Sequence, residues 1–297
     1  MPKAARPPYQ TIRDLLRHGV TQLNRAQAFF GHGSTNAYDE TAYLILHALN
    51  LPLDLLDPFL DARLTAPEIS ALLKIIDRRA RLRVPAAYLT GEAWLGEHRF
   101  YVDQRVIVPR SFIAELTTGQ FSPWVKRPEK VKRILDMCTG SGCLAILLAL
   151  AFPHAEVDAV DVSPDALAVA ERNVKDYALG SRVHLIQSNG FAALKGKPYD
   201  LIVSNPPYVD AAAMAKLPRE YRQEPRNALA GGKDGLDFVK TLLDQAGSRL
   251  TRGGQLVVES GHNRAALEKT FPQLPFTWLS VSGGDDLVFL LGQNQLV

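Results

Sequence analysis

Cysteine is almost absent from this chain of 297 residues, which contains only Cys138 and Cys143. Two cysteines cannot form the set of disulfides that stabilises many small secreted proteins. No histidine lies near either of them at the spacing of a zinc site. We therefore predict neither a disulfide scaffold nor a metal centre.

Long apolar runs are missing as well. No stretch reaches the roughly 20 residues that a membrane-spanning helix requires. The amino terminus, residues 1–8, is basic and contains proline, but it lacks the apolar segment of a secretory signal. We therefore expect a cytoplasmic protein with no membrane partner.

A strong excess of one charge is also lacking. The 34 lysines and arginines and the 31 aspartates and glutamates leave a net charge of +3. Such a balance permits a nucleic-acid or ribonucleoprotein partner without requiring one. Basic residues do cluster at 78–83 and 126–133, and these clusters are explained equally well as a solvated helix end and linker or as contacts with RNA.

The first part of the chain has a helical pattern. Apolar residues recur at helical spacing in three segments, near 12–23, 37–48 and 69–76. Thr65 and Glu68 precede the third segment in the spacing of a capping box. We predict a small helical bundle over residues 1–86, with one face available to dock a partner.

The pattern then changes twice. Aromatic and β-branched residues between 87 and 109 predict a β-hairpin, which together with a linker fills residues 87–130. From 131 to 297, short apolar strands alternate with helices, which predicts a mostly parallel sheet with helices on both faces. The strands are expected at 133–137, 156–161, 182–187, 200–204, 255–259, 276–280 and 287–291, with helices at 142–152 and 164–177. No long helix separates the last two strands, so an antiparallel hairpin should end the sheet.

A glycine-rich turn, Asp136-Met-Cys-Thr-Gly-Ser-Gly142, ends the first of these strands. Asp161 ends the second strand, where a carboxylate can hold two ribose hydroxyls. The glycine spacing also fits a loose dinucleotide fingerprint, but the carboxylate of Asp136 would repel a pyrophosphate. The same carboxylate favours S-adenosylmethionine, which carries a sulfonium and an ammonium group and no phosphate.

The turn after the third strand, Ser188-Asn-Gly-Phe191, should lie beside the adenine of such a cofactor. Asn189 is placed to pair with the amino edge of the base and Phe191 to cover its face, although Asn-Gly is equally an ordinary turn. The predicted cofactor site consists of Asp136, Cys138, Thr139, Gly140, Ser141, Gly142, Asp161, Asn189, Phe191 and Asn205.

The fourth strand is followed by Asn205-Pro-Pro-Tyr208. Two consecutive prolines fix φ and donate no hydrogen bond, so the carbonyls around them are held in a rigid turn. The asparagine adds a further carbonyl and the tyrosine an aromatic face. This rim suits a planar NH2 group, such as that of an amide or an adenine, although Asn-Pro and Pro-Pro also mark ordinary turns.

The glycine loop, Asp161 and Asn205-Pro-Pro-Tyr208 together resemble the class I methyltransferases that modify amino nitrogens. Within that group, the chain most resembles the protein-glutamine methyltransferases, on the evidence of the segments 85–91, 100–110 and 224–236. This resemblance covers nearly the whole chain. It implies an α/β class I methyltransferase fold, Rossmann-like, with a mostly parallel seven-stranded sheet and an antiparallel last strand. It also implies that the helical domain recognises the substrate and that S-adenosylmethionine is converted to S-adenosylhomocysteine.

The resemblance also implies roles for the acceptor site. Asn205, Pro206 and Tyr208 would be catalytic, because the Asn205 side chain and the Pro206 carbonyl can accept both hydrogens of a glutamine amide. The expected substrate-binding residues are Asn205, Pro206, Pro207, Tyr208, Arg110 and Glu224.

The junction Pro109-Arg-Ser-Phe112 distinguishes two branches of this family. The release-factor branch usually continues Pro-Arg with Pro-Glu-Thr-Glu, whereas this junction is similar to the branch that methylates ribosomal protein L-three. One departure is Asn189, where the family commonly has Asp. The alternatives are methylation of a release factor, adenine methylation of nucleic acid, and a ribosome assembly factor without activity. If ribosomal protein L-three is the substrate, the enzyme could also contact ribosomal RNA in an assembling subunit.

Overall fold

The computed structural model describes residues 9–296. Residues 1–8, on which the prediction of no secretory signal rests, lie outside the described residues. The chain divides into two compact units. The helical unit comprises the chain up to Glu92 together with Pro218–Gln223, and the sheet unit comprises Ala93–Leu217 and the chain from Glu224 onward. None of the helices in the described part is long and apolar enough to cross a membrane.

The helical unit contains the three predicted helices and one short addition. They are α1 (Ile12–Arg25), α2 (Ala37–Ala48), α3 (Ala66–Arg81) and α4 (Ala86–Thr90), with a 3-10 turn at Asp57–Phe59. The side chains of Thr11, Asn36 and Thr65 each accept a backbone N–H at the start of α1, α2 and α3. The capping box that Thr65 and Glu68 predict is confirmed. An apolar core joins the three helices through Ile12, Leu15, Leu16, Ile45 and Leu72.

A network of buried charges also holds the helical unit together. The guanidinium of Arg79, only 1% exposed, bonds Glu40 at 2.6 Å and Glu220 at 3.0 Å. Glu220 also accepts hydrogen bonds from the side chain of Arg83 and the amide of Phe29. Burial raises the pKa of Glu40, and the nearby guanidinium opposes that rise. Because Glu220 lies about 140 positions beyond Arg79, these pairs fasten the segment 218–223 to the helical unit, which no composition signal in the sequence indicates.

The sheet unit begins with the predicted hairpin, β1 (Glu92–Leu95) and β2 (His98–Tyr101). Its main sheet has seven strands, namely β3 (Arg133–Met137), β4 (Glu156–Asp161), β5 (Val183–Gln187), β6 (Tyr199–Ser204), β7 (Leu250–Glu259), β8 (Thr277–Val281) and β9 (Gly284–Gly292). Its helices are α5 (Ile113–Thr118), α6 (Cys143–Ala151), α7 (Pro164–Asp176), α8 (Ala211–Lys216), α9 (Asp237–Arg249) and α10 (Arg264–Thr270). Short 3-10 turns lie at Pro128–Lys130, Arg226–Ala228 and Gln293–Gln295, and a further one at Tyr221–Gln223 belongs to the helical unit.

The strand order in the sheet is β5-β4-β3-β6-β7-β9-β8. The strands β3 to β7 pair with one another in parallel, and β9 runs antiparallel to both β7 and β8. This confirms the predicted parallel sheet with an antiparallel end. Because β3 pairs with β4 on one side and with β6 on the other, the strand order reverses at β3. Ligands bind at such a reversal point, beyond the carboxyl ends of the strands.

Successive side chains along a strand of the sheet belong alternately to two apolar clusters, one on each face. Ile134 belongs to one cluster and Leu135 to the other, as the two-residue period of a strand requires. Helix α6 is apolar all round and buried along most of its length, since Leu144 and the five residues after it are each at most 5% exposed. The near-continuous apolar strands of the sequence are thus explained by helices on both faces.

One expectation about local structure is wrong. The apolar residues Val106, Ile107 and Val108 were expected to be strand-like, but residues 102–111 contain no strand. The amide of Val108 donates to the Glu224 carboxylate at 2.9 Å instead of to a neighbouring strand. Pro109, which follows, has no N–H to donate. Val106 and Val108 are still buried, so their apolar character reflects packing and not sheet pairing.

The buried charge network yields a prediction about stability. Replacing Arg79 with Met should cost about 3–5 kcal/mol in the free energy of unfolding, because Glu40 is left buried without a cation and Glu220 keeps only Arg83. Urea unfolding followed by circular dichroism measures this cost. The matched control is Arg81→Met on the same helix, where Arg81 is 76% exposed and pairs with the exposed Asp77. That change should cost less than about 0.5 kcal/mol. Equal losses for the two variants would contradict the structural role of the network.

Candidate active site

A cavity of about 350 Å3 opens at the carboxyl ends of β3, β4, β5 and β6. Parallel pairing brings these four ends to one edge of the sheet. Each strand end contributes to the wall of the cavity: Cys138 and Gly140 follow β3, Asp161 ends β4, Asn189 follows β5, and Asn205 and Pro207 follow β6. The structure thus brings together motifs that lie up to 69 positions apart between Cys138 and Pro207.

The glycine loop after β3 is shaped by residues in the left-handed region. Cys138, Gly140 and Gly142 have φ values of +63°, +55° and +79°. A Cβ on Gly142 would lie 3.1 Å from the Cβ of Ala170 on α7, so this position also needs glycine for space. Thr139 and Ser141 are buried; the Thr139 hydroxyl donates to Asp136, and the Ser141 carbonyl accepts the side-chain amide of Asn173.

Asp161 joins this loop to β4. One carboxylate oxygen accepts the amide of Gly140 at 2.9 Å and the other accepts the amide of Ser163 at 2.9 Å. Burial raises the pKa of Asp161, and the backbone donors oppose that rise. The carboxylate is therefore oriented on the cavity wall with further lone pairs that can accept ribose hydroxyls.

Asp136 lies fully buried beneath the loop. Its Oδ2 accepts the Thr139 hydroxyl at 2.5 Å, while its Oδ1 has no hydrogen bond of normal geometry in residues 9–296. Burial raises the pKa of Asp136 to about 7, against the effects of the Thr139 hydroxyl and the Ala145 amide. Asp161 contributes a smaller rise of the same sign. A buried carboxylate with an unmatched oxygen fits a cationic ligand better than a pyrophosphate, so the donor set agrees with S-adenosylmethionine.

Of the two residues in the turn after β5 that were predicted to contact the adenine, one lies on the cavity wall and the other is buried in the apolar core. Asn189 lines the cavity. Phe191 is 2% exposed and packs in the apolar cluster beneath, with the Arg249 guanidinium 5.8 Å from its ring centre. The aromatic side chain on the cavity wall is instead Phe238 of α9, which sequence reasoning missed because its helix lies far along the chain.

The Asn205-Pro-Pro-Tyr208 turn is enclosed by the segment that follows it. The amide of Val209 donates to the carbonyl of Leu229 at 2.9 Å, and the amide of Gly231 donates to the carbonyl of Val209 at 2.8 Å. A Cβ on Gly231 would lie 2.8 Å from the carbonyl oxygen of Pro207. The carbonyl of Tyr208 accepts the side-chain amide of Asn263 at 2.8 Å. The turn is therefore held by backbone contacts that admit no side chain at Gly231.

Glu259, at the end of β7, fixes the Tyr208 ring. Its Oε1 accepts the Tyr208 hydroxyl at 3.2 Å, and its Oε2 accepts the Ser111 hydroxyl at 2.7 Å and the Phe112 amide at 2.9 Å. Burial raises the pKa of this carboxyl, and these donors oppose the rise. Glu259 was missed by the sequence analysis. Its signal was an acid directly after the apolar run Leu256-Val-Val, at the same sheet edge as the predicted site.

Arg110 and Glu224, both expected to bind substrate, form a pair with each other. The two guanidinium nitrogens of Arg110 lie 2.6 and 2.7 Å from the two oxygens of Glu224. This two-point geometry fixes the planes of both groups. The pair thereby ties the Pro109-Arg-Ser junction to the segment after Asn205-Pro-Pro-Tyr208.

Within residues 9–296, no group of three or more His, Cys, Asp or Glu side chains is arranged so that it could hold a metal ion. Cys138 and Cys143 are free thiols. Burial raises the pKa of the Cys143 thiol to about 12, which keeps this thiol protonated near neutral pH.

Comparison with known proteins identifies relatives of nearly the same length. Residues 124–233 match the family model of the methyltransferase small domain. Three proteins named ribosomal protein uL3 glutamine methyltransferase are 58%, 54% and 56% identical to the chain, from Bordetella pertussis, Burkholderia pseudomallei and Neisseria meningitidis serogroup B. Each alignment covers 97% of this chain and 94–96% of the relative.

A solved structure supports the fold independently. The catalytic domain of hMettl16, crystallised with a MAT2A 3′UTR hairpin, aligns with a TM-score of 0.51 at 16% identity. The alignment covers 77% of this chain and 81% of that chain. With the strand order above, this confirms the predicted methyltransferase fold.

The raised pKa of Asp136 gives a prediction about cofactor affinity. A cationic ligand stabilises the carboxylate, so binding of S-adenosylmethionine should be strongest above pH 7 and weaken as the pH falls through 7. With a pKa of about 7, the affinity should be roughly tenfold lower at pH 6 than at pH 8. Isothermal titration at both values measures the difference.

Asp136→Asn is the control for this titration, because it removes the titrating group and keeps the shape of the side chain. The variant should bind more weakly at pH 8 and lose most of the dependence on pH. An unchanged dependence in the variant would assign the effect to another group and refute this role of Asp136.

Proposed function

This chain belongs to the ribosomal protein uL3 glutamine methyltransferases, and we propose from that premise that it methylates the side-chain amide nitrogen of a glutamine in ribosomal protein uL3, with S-adenosylmethionine as the methyl donor. The observation that carries the proposal is the 54–58% identity over nearly the whole chain to relatives of that name. The cavity at the strand ends, where Asp161 and Asn205 meet, supports it.

We assign the cofactor to the part of the cavity that is lined by Cys138, Gly140, Asp161 and Asn189. When bound, S-adenosylmethionine supplies an electrophilic methyl group on a sulfonium. Asp161 would accept the ribose hydroxyls, Asn189 would pair with the amino edge of the adenine, and the backbone of Cys138 and Gly140 would contact the methionine portion; all four residues line the cavity. Asp136 and Asp161 bring negative charge to a cationic ligand.

The acceptor is assigned to the turn after β6. A glutamine amide nitrogen is a weak nucleophile, because its lone pair is delocalised into the carbonyl. The Asn205 side-chain carbonyl and the Pro206 carbonyl accept its two hydrogens and so orient the nitrogen toward the methyl group. The same two carbonyls stabilise the positive charge that develops on nitrogen as the new bond forms.

The reaction balances without a strong base. A carbon–nitrogen bond forms while the carbon–sulfur bond breaks, and the bonding pair leaves with sulfur. The methylated nitrogen is then acidic and loses one proton to water. Tyr208 packs against the amide plane, with its hydroxyl held by Glu259, so the site acts mainly by positioning.

The acceptor is tested by labelling. Wild-type protein is incubated with tritiated S-adenosylmethionine and, in separate reactions, with uL3, a peptide-chain release factor, DNA and ribosomal RNA. We expect label in uL3. Label confined to a release factor or to nucleic acid would refute the proposed substrate, and label in none of them would refute the activity.

Asn205→Ala tests the orienting carbonyl. The variant should lose about 100- to 1,000-fold in kcat, the range seen when one preorganised hydrogen-bonding group is removed from an active site. Its affinity for S-adenosylmethionine should change little, because Asp161 and the glycine loop remain. Labelling rates and isothermal titration give the two quantities. Turnover near that of the wild type would contradict the role of Asn205.

Glu259→Gln tests whether Glu259 acts through Tyr208. The substitution keeps the shape but weakens acceptance from Tyr208, Ser111 and Phe112, and kcat should fall about tenfold, or about 1.4 kcal/mol, with an unchanged KM for S-adenosylmethionine. In a Tyr208→Phe background, where the hydroxyl is gone, the same change should cost less. A full, additive loss in that background would show that Glu259 does not act by holding Tyr208.

A further inference from the structure

The helical unit carries a groove that the methyl-transfer chemistry does not use. It lies between one face of α2 and the segment 53–58, and it encloses about 410 Å3. We call it the α2 groove. Its lining residues are Tyr38, Asp39, Ala42, Tyr43, Leu46, Leu53, Asp54, Leu55, Leu56, Asp57 and Pro58.

The α2 groove exposes apolar side chains at its rim. Tyr38, Leu53 and Leu55 are 48%, 40% and 48% exposed. Single exposed apolar residues are common on protein surfaces, but three that share one concave site form a patch of the kind that marks interaction sites. The groove therefore has an apolar surface suited to burial against a partner.

The charge of the α2 groove is of one sign. Asp39, Asp54 and Asp57 line it and are exposed, and no lysine or arginine is among its lining residues. This is a local departure from a chain whose net charge is +3. The nearby Arg13 is engaged by Asp61, whose two oxygens lie 2.9 and 3.2 Å from its guanidinium nitrogens.

Local structure explains only part of this acidic character. Asp39 lies in the first turn of α2 and accepts the side-chain amide of Asn36 at 2.6 Å, so it has a role in starting the helix. Asp57 begins a 3-10 turn of only three residues. Asp54 lies in the exposed segment before that turn.

We propose that the α2 groove docks a segment of the protein substrate in which lysine or arginine side chains flank apolar ones. This inference rests on the proposed function. A protein that is built into an RNA particle carries Lys and Arg to neutralise phosphates, so its free form offers the charge that complements three aspartates. An arginine can also stack on the Tyr38 ring while its guanidinium reaches a carboxylate.

Docking of this kind predicts a particular kinetic pattern. The groove contributes to binding of the intact substrate and not to the methyl-transfer step, so KM for the protein should depend on it and kcat should not. Charge pairs at the rim of an interface act mainly on the association rate and on its salt dependence. A short peptide that carries only the acceptor glutamine should be indifferent to the groove.

The double variant Asp54→Lys/Asp57→Lys tests the proposal. We expect a KM for intact uL3 at least about tenfold higher at low salt, an unchanged kcat at saturation, a weaker salt dependence, and unchanged turnover of the short peptide. The matched control is Asp77→Lys/Glu97→Lys, which makes the same charge change at exposed positions outside the groove. Circular dichroism checks that both variants are folded.

The possible outcomes distinguish failure of the docking proposal from failure of the proposed function. If the wild type does not methylate uL3, the proposed function fails. If it does, but the groove variant has the KM of the wild type or of the control, the docking proposal fails alone. A photo-crosslinking amino acid in place of Leu55 supplies a direct readout: crosslinks to a Lys- or Arg-containing segment of uL3 support the proposal, whereas crosslinks only to RNA or to a second copy of this chain overturn it.

Discussion

The pairing of β3 with β4 on one side and β6 on the other is the constraint on which the site depends. Parallel register sets Met137 beside both Val160 and Ser204, so the segments that follow these residues emerge at one edge. Asp161 and Asn205 then meet the glycine loop across a single cavity. Strand order therefore brings the proposed cofactor and acceptor residues to one edge of the sheet.

Two carboxylates, Asp161 on the cavity wall and the buried Glu259, then make the site rigid. Asp161 accepts the amides of Gly140 and Ser163, which fixes the glycine loop at the wall of the cavity. Glu259 holds Tyr208 and also the Ser111 junction. Because each carboxylate is partly satisfied by protein donors, its geometry is set in advance, and the cost of burying its charge is reduced.

The sequence allowed prediction where local pattern decides the structure. Strand and helix alternation, the capping box at Thr65 and the positions of Asp161 and Asn205 followed from periodicity and from turn chemistry. Contacts between residues that are far apart in the sequence could not be predicted. The roles of Glu259 and Phe238 and the burial of Glu220 beside Arg79 depend on which segments meet in space. The apolar run 106–108 packs without strand pairing, because the Val108 amide donates to the Glu224 side chain and the Val106 amide to the carbonyl of Asp103.

The branch assignment has a physical counterpart. Ser111, in the junction that distinguishes the two branches, donates to Glu259 at 2.7 Å, and Glu259 accepts the Tyr208 hydroxyl. The central proposal is that the Asn205-Pro-Pro-Tyr208 turn presents a protein glutamine amide for methylation. Tandem mass spectrometry of uL3 after reaction tests it most directly. Added mass of one methyl group on the side-chain amide of a single glutamine is the predicted result, and methylation at a lysine, an arginine or the backbone would contradict the account.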